Sequence, residues 1–215
     1  MSGALQPRAV IVGIGPGLGA ALARRFAGGG FAVTGLARDP GRVAPASGVM
    51  LQQADASDPT GLAAAITAGG PVEVLIYNAY RATMAQGGPS GLDPAVLVED
   101  FRVNVAGALA AAQAVLPGMR AAGRGSILLT GGGLALDPTG WLPAASLAVG
   151  KAGLRSLAFT LQKELAPAGV HVGTVTVAGQ IQPGTPFDPD RIAEAFWGLH
   201  SDAPGAFRAE VVFKG

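Results

Sequence analysis

The most constraining feature of this chain is an alternation. Short runs rich in Val, Ile and Leu recur between longer Ala- and Leu-rich segments. The runs fall at 8–12 (RAVIV), 31–37 (FAVTGLA), 49–55 (VMLQQAD), 72–79 (VEVLIYNA), 125–132 (GSILLTGG), 170–177 (VHVGTVTV) and 209–213 (AEVVF). Most are apolar throughout rather than at every second position, as expected of strands buried on both faces. The segments between them carry helix signals. Residues 19–30 end in a glycine stop. A second helix opens at Ser57 or Asp58 with Pro59 just inside it. Asp93-Pro94 starts a long helix to about 122, with a break near NVAG. Residues from about 142 to 165 place Leu154, Leu157, Leu161 and Leu165 on one face, and 188–200 reads as a capped helix. The expected fold is α/β: a Rossmann-like, doubly wound parallel sheet of about seven strands in a single domain covering 1–215.

Composition narrows the function classes. The chain has 215 residues, a length that suits one such domain. Fifteen basic and fourteen acidic residues give a net charge of +1, and the basic residues are scattered, which argues against a nucleic-acid partner. The absence of cysteine removes disulfides, thiolate catalysis and Cys-ligated zinc. His171 and His200 have no spaced partner, so no metal site is expected. The opening MSGALQPRAVIVGIG lacks the features of a signal peptide, and the apolar stretch 105–116 is too short and alanine-rich to span a bilayer. The expectation is a cytoplasmic protein without a membrane partner.

The first strand runs into VIVGIGPGLGAAL, with glycines at 13, 15, 17 and 19. Glycine permits positive φ and close approach of backbone to a ligand, and free N–H groups at a helix start favour a diphosphate. Two registers fit: Gly15, Gly17 and Ala20 as G-x-G-x-x-A, or Gly13, Gly17 and Gly19 as G-x-x-x-G-x-G; Leu18 lies inside both. The second strand ends GLARDP. Ala37 stands where an NAD-selecting acid is expected, and Arg38 follows it, which points to NADP with NAD as the alternative. The other reading of Arg38-Asp39 is a solvated turn pair.

Taken together, the motifs resemble the short-chain dehydrogenase/reductase family over most of the chain. Gly13, Gly17 and Gly19 match its glycine motif, with Val12 where threonine is usual. Asp55 matches the acid that contacts adenine. Asn78-Ala79 begins its Asn-Ala-Gly motif, with Tyr80 in place of the glycine. Asn104 matches the asparagine of the catalytic set, and Lys151 matches the lysine of Tyr-x-x-x-Lys. The resemblance implies catalytic roles for Asn104 and Lys151. It implies cofactor contacts from Gly13, Gly15, Gly17, Leu18, Gly19, Arg38, Asp55, Asn78, Ala79 and Lys151. It also implies a homodimer or homotetramer formed through the helices at about 93–122 and 142–165.

The departures concern the proton donors. Leu147 occupies the tyrosine position. The serine expected after the fifth strand is replaced by Gly131, Gly132 or Gly133, depending on alignment. After the sixth strand the chain reads TVAGQIQPGTPF, so Gly179 stands in for the usual Pro-Gly, and the short segment that follows suggests an open or small pocket. Leucine has no titratable proton, and losing a positioned general acid typically costs on the order of 10² to 10⁴-fold in rate. Three functions follow. One is an NADP-dependent oxidoreductase acting on a small carbonyl or alcohol by a nonstandard route. Another is a dinucleotide-binding sensor or scaffold without turnover. The third is an isomerisation or elimination on the same fold. Ser146 reads as a helix cap or surface hydroxyl, Thr130 as a strand former and Tyr77 as core. Tyr80 reads as a cofactor-stacking or pocket-narrowing residue, or as packing against the next helix. Trp141 and Trp197 read as pocket walls or interface.

Overall fold

The computed structural model describes residues 6–44 and 46–215; the reading of the first five residues as free of a leader lies outside that range. The seven apolar runs form β1 (Arg8–Val12), β2 (Ala32–Ala37), β3 (Val49–Gln53), β4 (Val74–Tyr77), β5 (Gly125–Gly132), β6 (Val170–Val177) and β7 (Glu210–Phe213). All pair in parallel, in the order β3-β2-β1-β4-β5-β6-β7. The helices are α1 (Leu18–Gly28), α2 (Pro59–Thr67), α3 (Pro94–Phe101), α4 (Gly107–Ala122), α5 (Ala145–Leu165) and α6 (Pro189–His200).

Alternate residues of each central strand serve opposite cores. Ala9 and Ile11 pack with Leu22, Phe26 and Phe196 beneath α1 and α6, while Val10 and Val12 pack with Leu62, Ala111 and Leu154 beneath α2, α4 and α5. Two layers of helix therefore cover both faces, which is why the strands lack polar alternation. The proline-marked helix starts have clear chemistry. Asp58, Asp93 and Asp188 cap α2, α3 and α6 by accepting the N–H of Gly61, Ala95 and Asp190, each with proline at the first helical position.

The expected break near NVAG is a π-helical turn, Arg102–Ala106, between α3 and α4. Buried Tyr77 supports it: its hydroxyl donates to the Val103 carbonyl. Burial, with a smaller contribution from Asp55, pushes the phenol well above its usual range. Among the described residues no helix is long and apolar enough to cross a membrane.

Candidate active site

The sheet order reverses direction between β1 and β4, so the turns leaving their carboxyl ends diverge and leave a crevice. The glycine turn forms one wall. Gly13 has φ +86°, and a Cβ there would lie 2.3 Å from the Ala79 nitrogen, so only glycine lets this turn close against the segment after β4. Gly19 is also confined, since a Cβ there would lie 2.8 Å from the Ile14 Cα. Gly15 and Gly17 differ: a Cβ on either would meet nothing within 4 Å. Gly13 and Gly19 thus serve internal packing, and the faces of Gly15 and Gly17 are open. Ala20 and Ala21 donate back to the Gly15 and Gly17 carbonyls. The N–H groups of Gly17, Leu18 and Gly19 take no backbone acceptor among the described residues. With no acid in the first turn of α1, this end can receive an anion.

Arg38 is exposed beyond the end of β2. Asp55 lies near it after β3. The Asp55 carboxylate accepts the backbone N–H and the hydroxyl of Ser57, both at 2.8 Å. These two bonds hold it below the usual carboxylate range, and Arg38 adds a smaller lowering.

The centre is a connected polar chain. The Asn78 amide donates to the Gly13 carbonyl at 2.8 Å, and its side-chain oxygen accepts the Thr130 hydroxyl at 3.0 Å. The Thr130 carbonyl in turn accepts the Lys151 ammonium at 2.6 Å. Lys151 is 8% exposed, and burial pulls its ammonium down to about 8. Thr130, which reads from sequence as a mere strand former, is therefore the link between Asn78 and Lys151.

The structure separates the three glycines after β5. A Cβ at Gly131 would strike the Thr176 hydroxyl at 2.5 Å, and one at Gly133 would face the Ala178 backbone at 3.2 Å. A Cβ at Gly132 would meet only the Lys151 stem, at 3.4 Å. Gly132 is thus the position from which a side chain would enter the site. Leu147 lies one helical turn before Lys151 and is half-buried.

A second polar cluster supports the segment after β4. Asn104, in the π-helical turn, accepts the Arg81 N–H and donates to the Arg81 carbonyl, both at 2.8 Å. Fully buried Asp100 accepts the Thr83 N–H at 2.8 Å, the Thr83 hydroxyl at 3.1 Å and the Ser146 hydroxyl at 2.6 Å. It also pairs with Arg81 at 2.9 Å. This corrects the reading of Ser146: it is buried and bonded to Asp100, neither a cap nor a surface hydroxyl. The sequence contained no signal for Asp100, because a lone acid on a helix reads as solvated until α5 covers it. Trp197 also departs from expectation. It packs against Phe26 and Phe31 between α1 and α6, with Arg25 over its ring at 3.9 Å, and belongs to that core rather than to a pocket wall.

Comparisons agree with this geometry. The short chain dehydrogenase family profile matches residues 7–185. The chain belongs to the short-chain dehydrogenase family. A metagenomic short-chain oxidoreductase in complex with NADP is 27% identical, with a TM-score of 0.82 and 96% of each chain covered. A 3-ketoacyl-(acyl-carrier-protein) reductase from Brucella melitensis complexed with NADH is 26% identical, with a TM-score of 0.86 over 95% of this chain and 94% of that one. A short chain dehydrogenase/reductase family oxidoreductase from Burkholderia thailandensis is 29% identical, with a TM-score of 0.83 over 96% and 90%. No curated protein matches the chain. Family membership places the chain among the short-chain oxidoreductases, and two of the structures it resembles hold NADP or NADH.

Proposed function

We propose that residues 1–215 act as one dinucleotide-binding unit, an NADP-dependent oxidoreductase acting on a small carbonyl or the corresponding alcohol without the family's usual tyrosine and serine. The observation that carries this reading is the contrast around Lys151. Its ammonium is held by Thr130, while Leu147 stands one turn before it on α5 and Gly132 of β5 lies against its stem. The residues fit a dinucleotide: the open faces of Gly15 and Gly17, the unpartnered N–H groups at the start of α1, and exposed Arg38 where a 2′-phosphate would lie. NAD is the alternative cofactor, and NADP and NADH in two of the similar structures support the pair. When bound, the cofactor supplies the hydride.

The remaining chemistry belongs to the chain. Gly15, Gly17, Leu18 and the N–H of Gly19 receive the diphosphate, while Gly13, its own N–H bonded to the Leu36 carbonyl, closes the turn against Ala79; Arg38 and Asp55 receive the adenosine end, and Asn78, Ala79 and Lys151 the nicotinamide ribose. Asn104 positions the Arg81 backbone beside the site. Lys151, its ammonium lowered to about 8 by burial, still carries its proton at pH 7 and can release it through water to a substrate oxygen, a role an ordinary exposed lysine fills poorly. Exposed Val98 and Phe101 on α3, with Val149 and Phe159 on α5, support assembly of copies through these helices.

The same contrast favours a second reading, a dinucleotide-binding sensor without turnover, because neither leucine nor glycine can pass a proton. Titration with NADPH, followed by nicotinamide fluorescence, tests the shared premise; no binding at millimolar cofactor refutes both. Turnover of a carbonyl panel separates them. The double variant Leu147→Tyr with Gly132→Ser is expected to raise reductase activity by on the order of 10²-fold. No gain in a folded, NADPH-binding double variant would show that these two positions are not what limits the site.

A further inference from the structure

Six of the eleven exposed large apolar side chains among the described residues come from three loops: Tyr80 and Met84 after β4, Leu136, Trp141 and Leu142 after β5, and Ile181 after β6. β4, β5 and β6 are neighbours in the sheet, so these loops emerge side by side at the edge that carries Lys151. The first two are joined directly, Ala85 donating to the Pro143 carbonyl at 2.8 Å, and Gly88 lies against Leu142. Apolar surface gathered at one place is held against water for a reason that the core does not supply.

Tyr80 is the best-defined member. The backbone on each side of it is pinned, by the Asn78 N–H donating to the Val12 carbonyl and by Arg81 bonded both ways to Asn104. Its side chain nevertheless remains 64% exposed. The Lys151 ammonium lies 5.8 Å from its ring centre. The fold thus fixes an aromatic ring beside the buried ammonium without burying it. The same loops are almost without charge. Across 79–92, 133–144 and 178–187 the only charged side chains are Arg81 and Asp137. The first is paired with Asp100, and the second accepts the N–H and hydroxyl of Thr139. The loops themselves bring no free cation to a substrate; the one ammonium at hand is Lys151, bonded to the Thr130 carbonyl.

We propose that Tyr80, Met84, Leu136, Trp141, Leu142 and Ile181 receive an uncharged substrate with a flat ring, an aryl ketone or aldehyde, whose ring stacks on Tyr80 beside Lys151. This deepens the oxidoreductase reading above and rests on it. Recognition comes from apolar contact and ring stacking, and loops that add no free cation favour an uncharged substrate over an acidic one.

The test is equilibrium dialysis of 2-acetonaphthone and 2-naphthoate against the protein saturated with NADP⁺, which holds the ketone without reaction. The ketone is expected to be retained more tightly than the carboxylate. Tyr80→Ala is expected to weaken ketone retention by about tenfold, and Tyr80→Phe to preserve it. Because Tyr80 is exposed, both variants are expected to fold, and their denaturation midpoints check this. Equal retention of ketone and carboxylate, or a folded Tyr80→Ala that holds the ketone as tightly as the parent, overturns the proposal. Failure of NADPH to bind the parent protein overturns the dinucleotide reading instead. Ketone retention by cofactor-free protein that still depends on Tyr80 would then leave the ring-binding surface standing.

Discussion

Replacing Lys151 with methionine is expected to make the protein more stable at neutral pH while removing dinucleotide binding. The ammonium is 8% exposed, its recorded partner is one carbonyl, and burial has pulled it from 10.5 to about 8. A downward displacement of that size corresponds to about 3 kcal/mol of penalty for holding the charge in the folded state. Methionine has a similar length and no charge to desolvate. It forfeits the hydrogen bond to Thr130, worth about 1 kcal/mol, so the net gain at pH 7 is about 2 kcal/mol. That is roughly 4–8 °C in melting temperature for a chain of this size. The pH dependence is the sharper signature. Between about 8 and 10.5 the unfolded lysine holds its proton and the folded one does not, so parent stability rises with pH through that window. Relative to the parent, the variant should lose about 2 kcal/mol of its advantage between pH 7 and pH 9.5. Urea denaturation of both proteins at the two pH values measures this, and titrations common to both cancel. A variant less stable than the parent at pH 7, or a difference that does not change with pH, would refute the claim that Lys151 is a desolvated ammonium.

Two other substitutions probe the surroundings. Asp100→Ala leaves the Ser146 hydroxyl, the Thr83 N–H and hydroxyl and the Arg81 guanidinium without their acceptor. A loss of about 3 kcal/mol is expected in a denaturant titration, and a loss under about 1 kcal/mol would mean the cluster is not a structural support. Arg38→Asp should move cofactor preference toward NADH by on the order of tenfold, read as the ratio of the two dissociation constants; an unchanged ratio would return Arg38 to an ordinary solvated turn.

The chain by itself determined the fold. Short runs, most of them apolar at successive positions and bounded by turn signals, read as strands covered on both sides, and helices between them give parallel neighbours, so the fold class lay in the local pattern. Asp93-Pro94 and Asp58-Pro59 likewise carry their structure locally, in capping chemistry. What only the tertiary structure decided is where side chains converge. Gly131, Gly132 and Gly133 are alike as letters, and the neighbours supplied by β6 and α5 single out Gly132 as the one facing Lys151. Ser146 is buried because Asp100, forty-six residues earlier, reaches it from α3. Thr130 matters through its carbonyl as well as its hydroxyl, and no residue letter records where a carbonyl points. Periodicity reports which face of an element is buried. It does not report which atoms of other elements that face will meet, and the chemistry of this site depends on those meetings.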